Sequence, residues 1–167
     1  ARAFAAGTGP NAASIVFGGE PPFLANAEQW DNTSWTAVPS LNSGRTGLGG
    51  SGATSTNALA FGGSSTPPGA TVALTESFDG TSWTEVADLG TASGSGVLGA
   101  GTSAESIAAG GYTTTNSALT FEWTTTPAAT FTKINLGQVY YNSGSSAFKV
   151  TGQSVPAGSW ASGTALN

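Results

Sequence analysis

One short block of sequence occurs three times along this chain, and that repetition constrains the fold more than any other feature. Each occurrence is a run of four small or apolar residues that ends in a pair of glycines, and the glycine pairs lie 44 and then 48 residues apart. Internal periods of about 20–50 residues are typical of solenoids, propellers and repeat arrays. The spacing therefore predicts three copies of one structural unit. The block occupies residues 14–19, 58–63 and 106–111.

A second block, rich in aromatic residues, follows the glycine pair in the first two copies. Residues 28–36 match residues 76–84, so that Trp35 and Trp83 stand 48 residues apart. The copies also end alike, because a Ser-Trp pair precedes a leucine by the same interval each time. The third copy is longer than the others because extra sequence intervenes. The matching endings are residues 34–42, 82–90 and 159–167.

The apolar runs are typical of buried β-strands rather than of helices. They are four to six residues long, partly β-branched or aromatic, and flanked by glycine. The dipeptide Asp79-Gly80 predicts a tight hairpin, and Asp31-Asn32 stands at the same place in the first copy. Each copy then provides four short strands, which is the content of one propeller blade. We expect the glycine-rich first strand at the crowded centre and the large aromatic residues farther out.

This pattern resembles the kelch family, in which a Gly-Gly pair closes the second strand and is followed by a Glu-x-aromatic-Asp block and then by a Trp. The resemblance implies an all-β fold of kelch-like β-propeller blades, with about three four-stranded blades in this chain. One departure is the interval of four residues between the aromatic residue and the Trp, where the family usually has about six. The matching residues are Gly18-Gly19, Glu28, Trp30, Asp31 and Trp35, and then Gly62-Gly63, Glu76, Phe78, Asp79 and Trp83.

The third copy departs further from the pattern. Phe131 takes the place of Trp83 at the 48-residue offset, and Glu122-Trp123 falls out of register. We predict three blades, at residues 1–42, 43–90 and 91–167, the last with an inserted β-hairpin over about 122–158.

The predicted hairpin has two interpretations. Residues 138–141 and 147–151 flank a Ser/Gly-rich turn, and their alternation is typical of an amphipathic hairpin. It either caps the stack of sheets or offers an aromatic contact site for a partner subunit or a glycan, with Tyr140 and Tyr141 as anchors.

Composition excludes several classes of function. The formal net charge is -5 and the four basic residues are scattered, which disfavours nucleic acid as a partner. No apolar run approaches the ~20 residues that span a bilayer, so we expect no membrane insertion. The chain has neither Cys nor His, which removes disulfides, the usual zinc ligands and the commonest general base.

Few residues remain for catalysis or for a cofactor. Residues 94–99 match a dinucleotide-binding fingerprint, but a short run ending in Gly-Gly follows instead of the helix that such a site requires. Two carboxylate pairs suggest glycoside hydrolysis, Glu28 with Asp31 and Glu76 with Asp79. They recur at the same point of successive copies, as scaffold residues do, and an Asp in a turn accepts hydrogen bonds from amides. We therefore expect a protein that is not an enzyme and holds no cofactor or metal.

Three stretches of the sequence resemble one particular group of kelch-like proteins. They are similar to tandem kelch-like proteins encoded by bacteriophages, particularly marine ones, which are usually assigned as tail fibres or other virion components. The resemblance implies a non-enzymatic structural protein at the virion surface that binds a host glycan or protein. Two alternatives stay open: a capsid decoration or tail scaffold protein that binds only other virion subunits, and a glycan-active enzyme on a propeller scaffold. The stretches are residues 58–63, 79–89 and 137–167.

The candidate contact residues lie where the copies differ. Loops 20–27 and 64–73 vary between copies, and the second contains Pro67 and Pro68. Trp123 stands outside the repeat register and is the best candidate for an exposed aromatic residue. The other tryptophans fall on or near repeat positions, where we expect core packing.

The number of predicted blades bears on how the protein assembles. Three blades are too few to close a propeller, which has about four to eight. Either further blades exist or copies of the chain associate, for example two chains in a six-bladed ring. The chain opens with Ala1 and contains no Met, so we expect a processed chain or part of a longer one. We predict that the isolated chain is not a stable monomer.

Overall fold

The computed structural model of the chain describes residues 1–65, 69–116 and 118–125, together with the backbone of residues 139–142 and 147–150. Within these ranges the protein is all β, and no helix is present that could cross a membrane. The chain divides into two units, Ala1–Thr125 and Thr126–Asn167. The strands are β1 (Ala6–Thr8), β2 (Ser14–Phe17), β3 (Ala27–Trp30), β4 (Trp35–Val38), β5 (Gly49–Thr54), β6 (Asn57–Phe61), β7 (Ser64–Ser65), β8 (Ala70–Thr71), β9 (Thr75–Phe78), β10 (Trp83–Val86), β11 (Val97–Gly101), β12 (Glu105–Gly110), β13 (Thr120–Thr124), β14 (Val139–Asn142) and β15 (Ala147–Val150).

The first unit contains three antiparallel sheets, one for each copy of the repeat. Blade 1 has the order β1-β2-β3-β4, and blade 2 has the order β5-β6-β9-β10. Blade 3 has β11-β12-β13 within the described residues. Strands β7 and β8 form a small separate hairpin in the loop between β6 and β9. The prediction of an all-β fold built from four-stranded blades is confirmed by the first two copies.

Strand register corrects the position assigned to Trp123. In blade 1, Ser14 pairs with Trp30, and in blade 2 the equivalent Ala58 pairs with Phe78. In blade 3, Ser106 pairs with Trp123. Trp123 therefore occupies the repeat position, and the prediction that it lies out of register is wrong. The loop between the second and third strands has a different length in each copy, so a constant offset of 48 residues misses the match.

The central strand β6 is buried on both faces, because a blade packs against each side of blade 2. Ala58 and Ala60 join an apolar cluster with blade 1, which includes Phe17 of that blade. Leu59 and Phe61 join a second cluster with Val97 and Ala108 of blade 3. Burying an apolar side chain completely is worth about 1.5–3 kcal/mol. Such a strand needs no polar face, which explains its unbroken apolar sequence.

The innermost strands lie so close together that only small residues fit. Strand β5 packs between β1 and β11. A Cβ added at Gly99 would lie 2.2 Å from the carbonyl oxygen of Gly50, and a Cβ added at Gly50 would lie 2.8 Å from the ring of Phe17. The expectation that small residues are needed where the first strands meet is confirmed. That these strands lie at the centre of a propeller stays a prediction.

The glycine pairs end the second strands in a conformation that suits glycine. Gly62 has φ of 62° and Gly63 has φ of 93°, and the other two pairs are alike. The Gly63 N–H donates to the carbonyl of Ser93 at the start of the next blade, 2.7 Å away. A Cβ at Gly62 would lie 2.7 Å from that same carbonyl oxygen. The pair thus lets the next blade approach the strand end directly.

The second unit contains the strands β14 and β15. They pair antiparallel with Val139 opposite Val150 and Tyr141 opposite Phe148. This backbone pairing confirms the hairpin that the sequence predicts. Whether it caps the stack or binds a partner stays a prediction.

Gly62→Ala tests the close approach of the blades, with Gly96→Ala as the matched control. Both glycines have positive φ, but a Cβ at Gly96 would meet no atom within 4 Å. The control should lower the free energy of unfolding by about 1–2 kcal/mol, the cost of a left-handed residue. Gly62→Ala should cost on the order of 1–3 kcal/mol more, because the Cβ also clashes with backbone. Urea unfolding monitored by tryptophan fluorescence measures both, and equal losses would contradict the packing argument.

Candidate functional site: repeated charges, open faces and a loop edge

A buried ion pair links the segment that precedes β5 to strand β9 of blade 2. The Arg45 side chain is fully buried, and its Nη2 lies 2.8 Å from Glu76 Oε1. Arg45 Nη1 donates to the carbonyls of Gly62 and Leu74. The Glu76 carboxylate also accepts the backbone N–H of Asn42 at 2.6 Å. Burial lowers the pKa of Arg45 from its ordinary value, and the neighbouring Glu76 charge opposes that shift. The pair is satisfied by hydrogen bonds on both partners.

The same network recurs in blade 1 but lies nearer to the solvent. Arg2 pairs with Glu28 and donates to the carbonyls of Gly18 and Asn26. These acceptors stand at the positions of Gly62 and Leu74. The Glu28 side chain is 42% exposed, against 3% for Glu76. The same arrangement of an arginine, a glutamate and two carbonyls is therefore buried in blade 2 and partly exposed to solvent in blade 1.

Blade 3 replaces both charges together. Ser93 stands at the position of Arg45, and its hydroxyl donates to the carbonyl of Gly110 at 2.9 Å. Phe121 stands at the position of Glu76, opposite Ala108 in the strand pairing. The carbonyl of the first glycine therefore has a side-chain donor in every blade. A buried carboxylate without its cation would be costly, so the two replacements belong together.

The carboxylates of the predicted hairpin turns are held by the backbone. Asp79 Oδ1 accepts the N–H groups of Thr81 and Ser82 at 2.8 Å each and the Thr81 hydroxyl at 2.7 Å. Asp31 makes the equivalent contacts in blade 1. These hydrogen bonds, led by that of the threonine hydroxyl, lower the pKa of each Asp to about 2. The structural role expected for these residues is confirmed. Among the described residues no group of three or more carboxylates could hold a metal ion.

Trp83 fills the interface between blades 1 and 2. Its ring meets Phe17 of blade 1 edge-on and stacks on Phe78 of its own blade, both at a centroid distance of 5.0 Å. Its indole N–H donates to the carbonyl of Pro39 at 2.9 Å. Aromatic pairs add about 0.5–1.5 kcal/mol beyond their buried area. Trp83 therefore holds the two blades together through its ring contact with Phe17 and its hydrogen bond to the Pro39 carbonyl.

Trp35 occupies the same strand position in blade 1, yet its surroundings differ. It contacts Trp30 at 5.5 Å between ring centroids, but it is 51% exposed, against 6% for Trp83. The expectation that every repeat tryptophan lies in the core is wrong for Trp35. The cause is its position, because no described sheet precedes blade 1 to supply a counterpart of Phe17.

A groove of about 280 Å³ runs between blades 2 and 3. Phe61, Ala87 and Trp123 help to line it, and they stand where Phe17, Pro39 and Phe78 surround Trp83 in the neighbouring interface. The groove is therefore the blade 2–3 counterpart of the site that Trp83 fills. Trp123 is half-buried there, and its indole N–H donates to the carbonyl of Ser103. It is less exposed than the sequence suggested.

The three loops that connect second to third strands leave the blades at one edge, which we call the loop edge. Each loop closes with the same bond, from the first glycine N–H to a carbonyl before the third strand. Backbone bonds such as Gly19 N–H to the Arg45 carbonyl link neighbouring blades at this edge. The loop edge comprises residues 18–26, 62–74 and 110–119, of which 66–68 and 117 lie outside the described residues. It also includes Ala3 and Phe4, because Ala3 forms a backbone bridge with Glu20.

Two exposed aromatic residues at the loop edge, Phe4 and Tyr112, are not among the contact residues that the sequence predicts. Phe4 is 68% exposed and has φ of 52°, where the equivalent residue of blade 2 is Gly47 with φ of 64°. A left-handed conformation costs about 1–2 kcal/mol in a residue that has a Cβ. Tyr112 directly follows the third glycine pair and is 48% exposed. The repeat alignment contains the signal for Phe4, since an aromatic residue stands there where blade 2 has glycine.

The remaining predicted contact residues are only partly described. Pro67 and Pro68 lie outside the described residues. Tyr140 and Tyr141 are described by their backbone in β14. Trp123 lies in the blade 2–3 groove rather than at the loop edge, so the structure does not bring it together with the variable loops.

Comparison with known proteins supports the fold. The solved structure of a protein named YjhT superposes with a TM-score of 0.60 and 15% sequence identity, over 72% of this chain and 42% of that one. The chain thus spans less than half the length of that structure. No protein-family model and no curated protein sequence matches. The protein has an all-β, propeller-like arrangement of blades.

Arg45→Ala should be far more destabilising than Arg2→Ala. Removing Arg45 leaves the buried Glu76 carboxylate unpaired, which costs about 3–5 kcal/mol in the free energy of unfolding. Removing Arg2 frees a carboxylate that water can reach, which costs at most about 1 kcal/mol. The double variant Arg45→Ser/Glu76→Phe copies blade 3 and should recover part of the loss. Chemical denaturation of the full chain measures all three, and equal losses for the two single variants would contradict the argument.

The turn aspartates predict a loss of stability in acid. Their folded pKa of about 2 lies below the ordinary 3.8, so protonation favours the unfolded chain. The stabilisation is complete above about pH 4 and is lost as the pH falls towards 2. In an NMR titration of carboxyl carbons, Thr81→Val should raise the pKa of Asp79 and leave that of Asp31 unchanged. An Asp79 carboxyl that titrates at its ordinary value in the unmodified protein would refute the turn geometry.

Proposed function

We propose that this chain is a non-enzymatic binding module of a virion surface, such as a phage tail fibre, and that it binds a host glycan or protein through its loop edge. The observation that carries the proposal is the contrast between a repeated framework and unlike loops. The same glycine pair and the same closing bond support three loops of different length and sequence. Variable loops on a rigid scaffold are typical of recognition surfaces.

The exposed aromatic residues of the loop edge suit a sugar or protein partner. Phe4 projects from a left-handed backbone, and Tyr112 stands beside the blade 3 glycine pair. Strained residues cluster at functional sites, because the surrounding structure must support their conformation. An exposed aromatic face binds the apolar face of a sugar ring, and a tyrosine hydroxyl adds a hydrogen bond.

The state of the carboxylates disfavours the glycan-active enzyme. Retaining and inverting glycosidases use a pair of carboxyl groups about 5–9.5 Å apart, one of them with a raised pKa. Here Glu76 is buried beside Arg45, and the pKa of Asp79 is lowered rather than raised. Glu76 forms an ion pair with Arg45, and Asp79 accepts the hydrogen bonds of its own turn.

A virion scaffold protein that binds only other subunits is the second candidate. The exposed Trp35 on the side of blade 1 favours it, because this residue lies on a sheet face and not at the loop edge. Such a protein would bind virion proteins and show no affinity for host cells.

The test is binding of the purified chain to a glycan array and to intact bacterial cells. Phe4→Ala and Tyr112→Ala should each weaken binding about tenfold, as expected for the loss of one aromatic contact of about 1.5 kcal/mol. Thr84→Ala, at an exposed position of the outer strand β10, is the matched control and should bind like the unmodified chain. Immunogold labelling of phage particles tests the virion location.

Two outcomes would count against adhesion. Equal binding by all three variants would remove the loop edge as the contact surface. Labelled virions combined with no binding to any glycan or cell would favour the scaffold protein.

A further inference from the structure

Three equivalent residues form a row that runs along the loop edge from blade 1 to blade 3. Phe4, Gly47 and Ser95 each follow the residue that is bonded to the loop of its own blade. The Gly47 N–H donates to the Phe4 carbonyl at 2.9 Å. A Cβ added at Gly47 would lie 2.8 Å from the Ser95 Cα. The three residues are therefore direct neighbours across the blades, and we call them the crossing row.

The Phe4 side chain points along this row towards blade 2. Phe4 has φ of 52° and Gly47 has φ of 64°, so the two positions share a left-handed conformation. A Cβ at Gly47 would point at Ser95 of the following blade, and the same geometry directs the Phe4 Cβ at Gly47. Gly47 has no side chain to occupy that space. The Phe4 ring therefore has room beside it and is 68% exposed, in surroundings that belong to the described part of blade 2.

Tyr112 lies at the other end of the crossing row. Its carbonyl accepts the N–H of Gly94 at 2.8 Å, and Gly94 directly precedes Ser95. A Cβ at Gly94 would lie 2.6 Å from Thr71 Cγ2 and 2.6 Å from the Tyr112 carbonyl oxygen. Tyr112 thus stands beside strand β8 of the small hairpin in blade 2, and it is 48% exposed. An exposed aromatic residue therefore marks each end of the row, with the exposed Ser95 between them.

The charge of the loop edge indicates which class of sugar it suits. Glu20 is the one charged residue in the sequence of this edge, and the whole chain has a formal net charge of -5. Arg2 and Arg45 lie nearby, but each forms an ion pair with a glutamate of its own blade. A glycan that carries carboxylates or phosphates would therefore meet repulsion from charge of its own sign.

Hydroxyl and amide groups supply the polar contacts of the loop edge. The blade 3 loop continues from Tyr112 with three threonines and Asn116, and all but the first of these four are exposed. Hydroxyl and amide groups both donate and accept hydrogen bonds, as the hydroxyls of a sugar do. Aromatic faces beside such groups suit a neutral sugar.

We propose that the loop edge binds a neutral, extended oligosaccharide that lies along the crossing row, with one sugar ring stacked on Phe4 and another on Tyr112. This ligand class rests on the proposed function, in which the loop edge is the contact surface. Phe4 and Tyr112 belong to blades 1 and 3, and Gly47 and Ser95 separate them. A single sugar ring therefore contacts one of them, whereas a chain of several rings contacts both. The second contact of one chain forms at a high effective concentration, so the affinity rises with chain length.

A glycan array of graded chain length, with neutral, sialylated and phosphorylated members, tests the proposal. The unmodified protein should bind neutral glycans, and more tightly as they lengthen. Phe4→Ala and Tyr112→Ala should each weaken the binding of a long neutral glycan about tenfold, and the double variant about a hundredfold, because separated contacts add. Phe4→Tyr and Tyr112→Phe keep an aromatic ring and should bind nearly as well as the unmodified protein. Thr84→Ala, at an exposed position of β10, is the matched control, and circular dichroism checks that each variant folds.

Salt and periodate give two further measurements. Binding of a neutral glycan should change little between low and high salt, because salt screens interactions between charges. Periodate oxidation of the sugars on bacterial cells should abolish binding of the unmodified protein to those cells. A glycan too short to span the row should lose affinity in one of the two alanine variants and keep it in the other.

Three results would overturn the neutral, extended ligand and leave adhesion by the loop edge standing. The first is preferential binding of sialylated or phosphorylated glycans, and the second is equal affinity for single sugars and for long chains. The third is binding to bacterial cells that survives periodate but is lost in Phe4→Ala or Tyr112→Ala, which would indicate a protein receptor. A protein that binds neither glycans nor cells would contradict the proposed function itself.

Discussion

The structure depends on one constraint: the central sheet, blade 2, has two apolar faces, and a neighbouring blade covers each of them. Strand β6 meets this constraint fully, because Ala58 and Ala60 pack towards blade 1 while Leu59 and Phe61 pack towards blade 3. Successive side chains of a strand point to opposite faces of its sheet. When both faces contact apolar neighbours, every residue of the strand must therefore be small or apolar. The inner strands then approach so closely that glycine is required where a Cβ would meet the next backbone, as at Gly99. The apolar runs and the glycines recur along the sequence because each blade packs against its neighbour in the same way.

The carbonyl of the first glycine in each pair requires a hydrogen-bond donor, but residues of different chemistry can supply it. The carbonyl of the first glycine in each pair accepts a hydrogen bond from a side chain, from Arg2, Arg45 or Ser93 in turn. A buried carbonyl without a donor would cost about 1–3 kcal/mol, so the donor recurs although its chemistry changes. Where Arg is present a carboxylate accompanies it, and where Ser is present Phe121 fills the position instead. Such substitutions explain why the third copy is hard to recognise by residue identity.

Most of the fold could be predicted from the sequence, because glycine pairs, apolar runs and Asp-containing turns act locally. Asp79 and its turn need only the three residues that follow, and the prediction is confirmed. Trp123 could not be aligned in this way, because its position depends on pairing with Ser106 across a loop whose length differs between copies. The exposure of Trp35 and Phe4 could not be predicted either. Exposure depends on what packs against a residue, and equal sequence motifs meet different neighbours at the ends of a stack.

Sheet faces and strand ends are separate surfaces of a blade, so that covering one of them leaves the other accessible. The outer faces of blades 1 and 3 lie at the sides of the three described sheets, where aromatic and aliphatic residues such as Trp35 and Ile107 are exposed. The loop edge lies at the strand ends, beyond the glycine pairs, and its backbone is held by bonds between neighbouring blades such as Gly47 N–H to the Phe4 carbonyl. Covering the faces therefore leaves the loops free. It also stiffens them, because each added blade fixes one more loop base, and a preorganised loop loses less conformational entropy when it binds a partner.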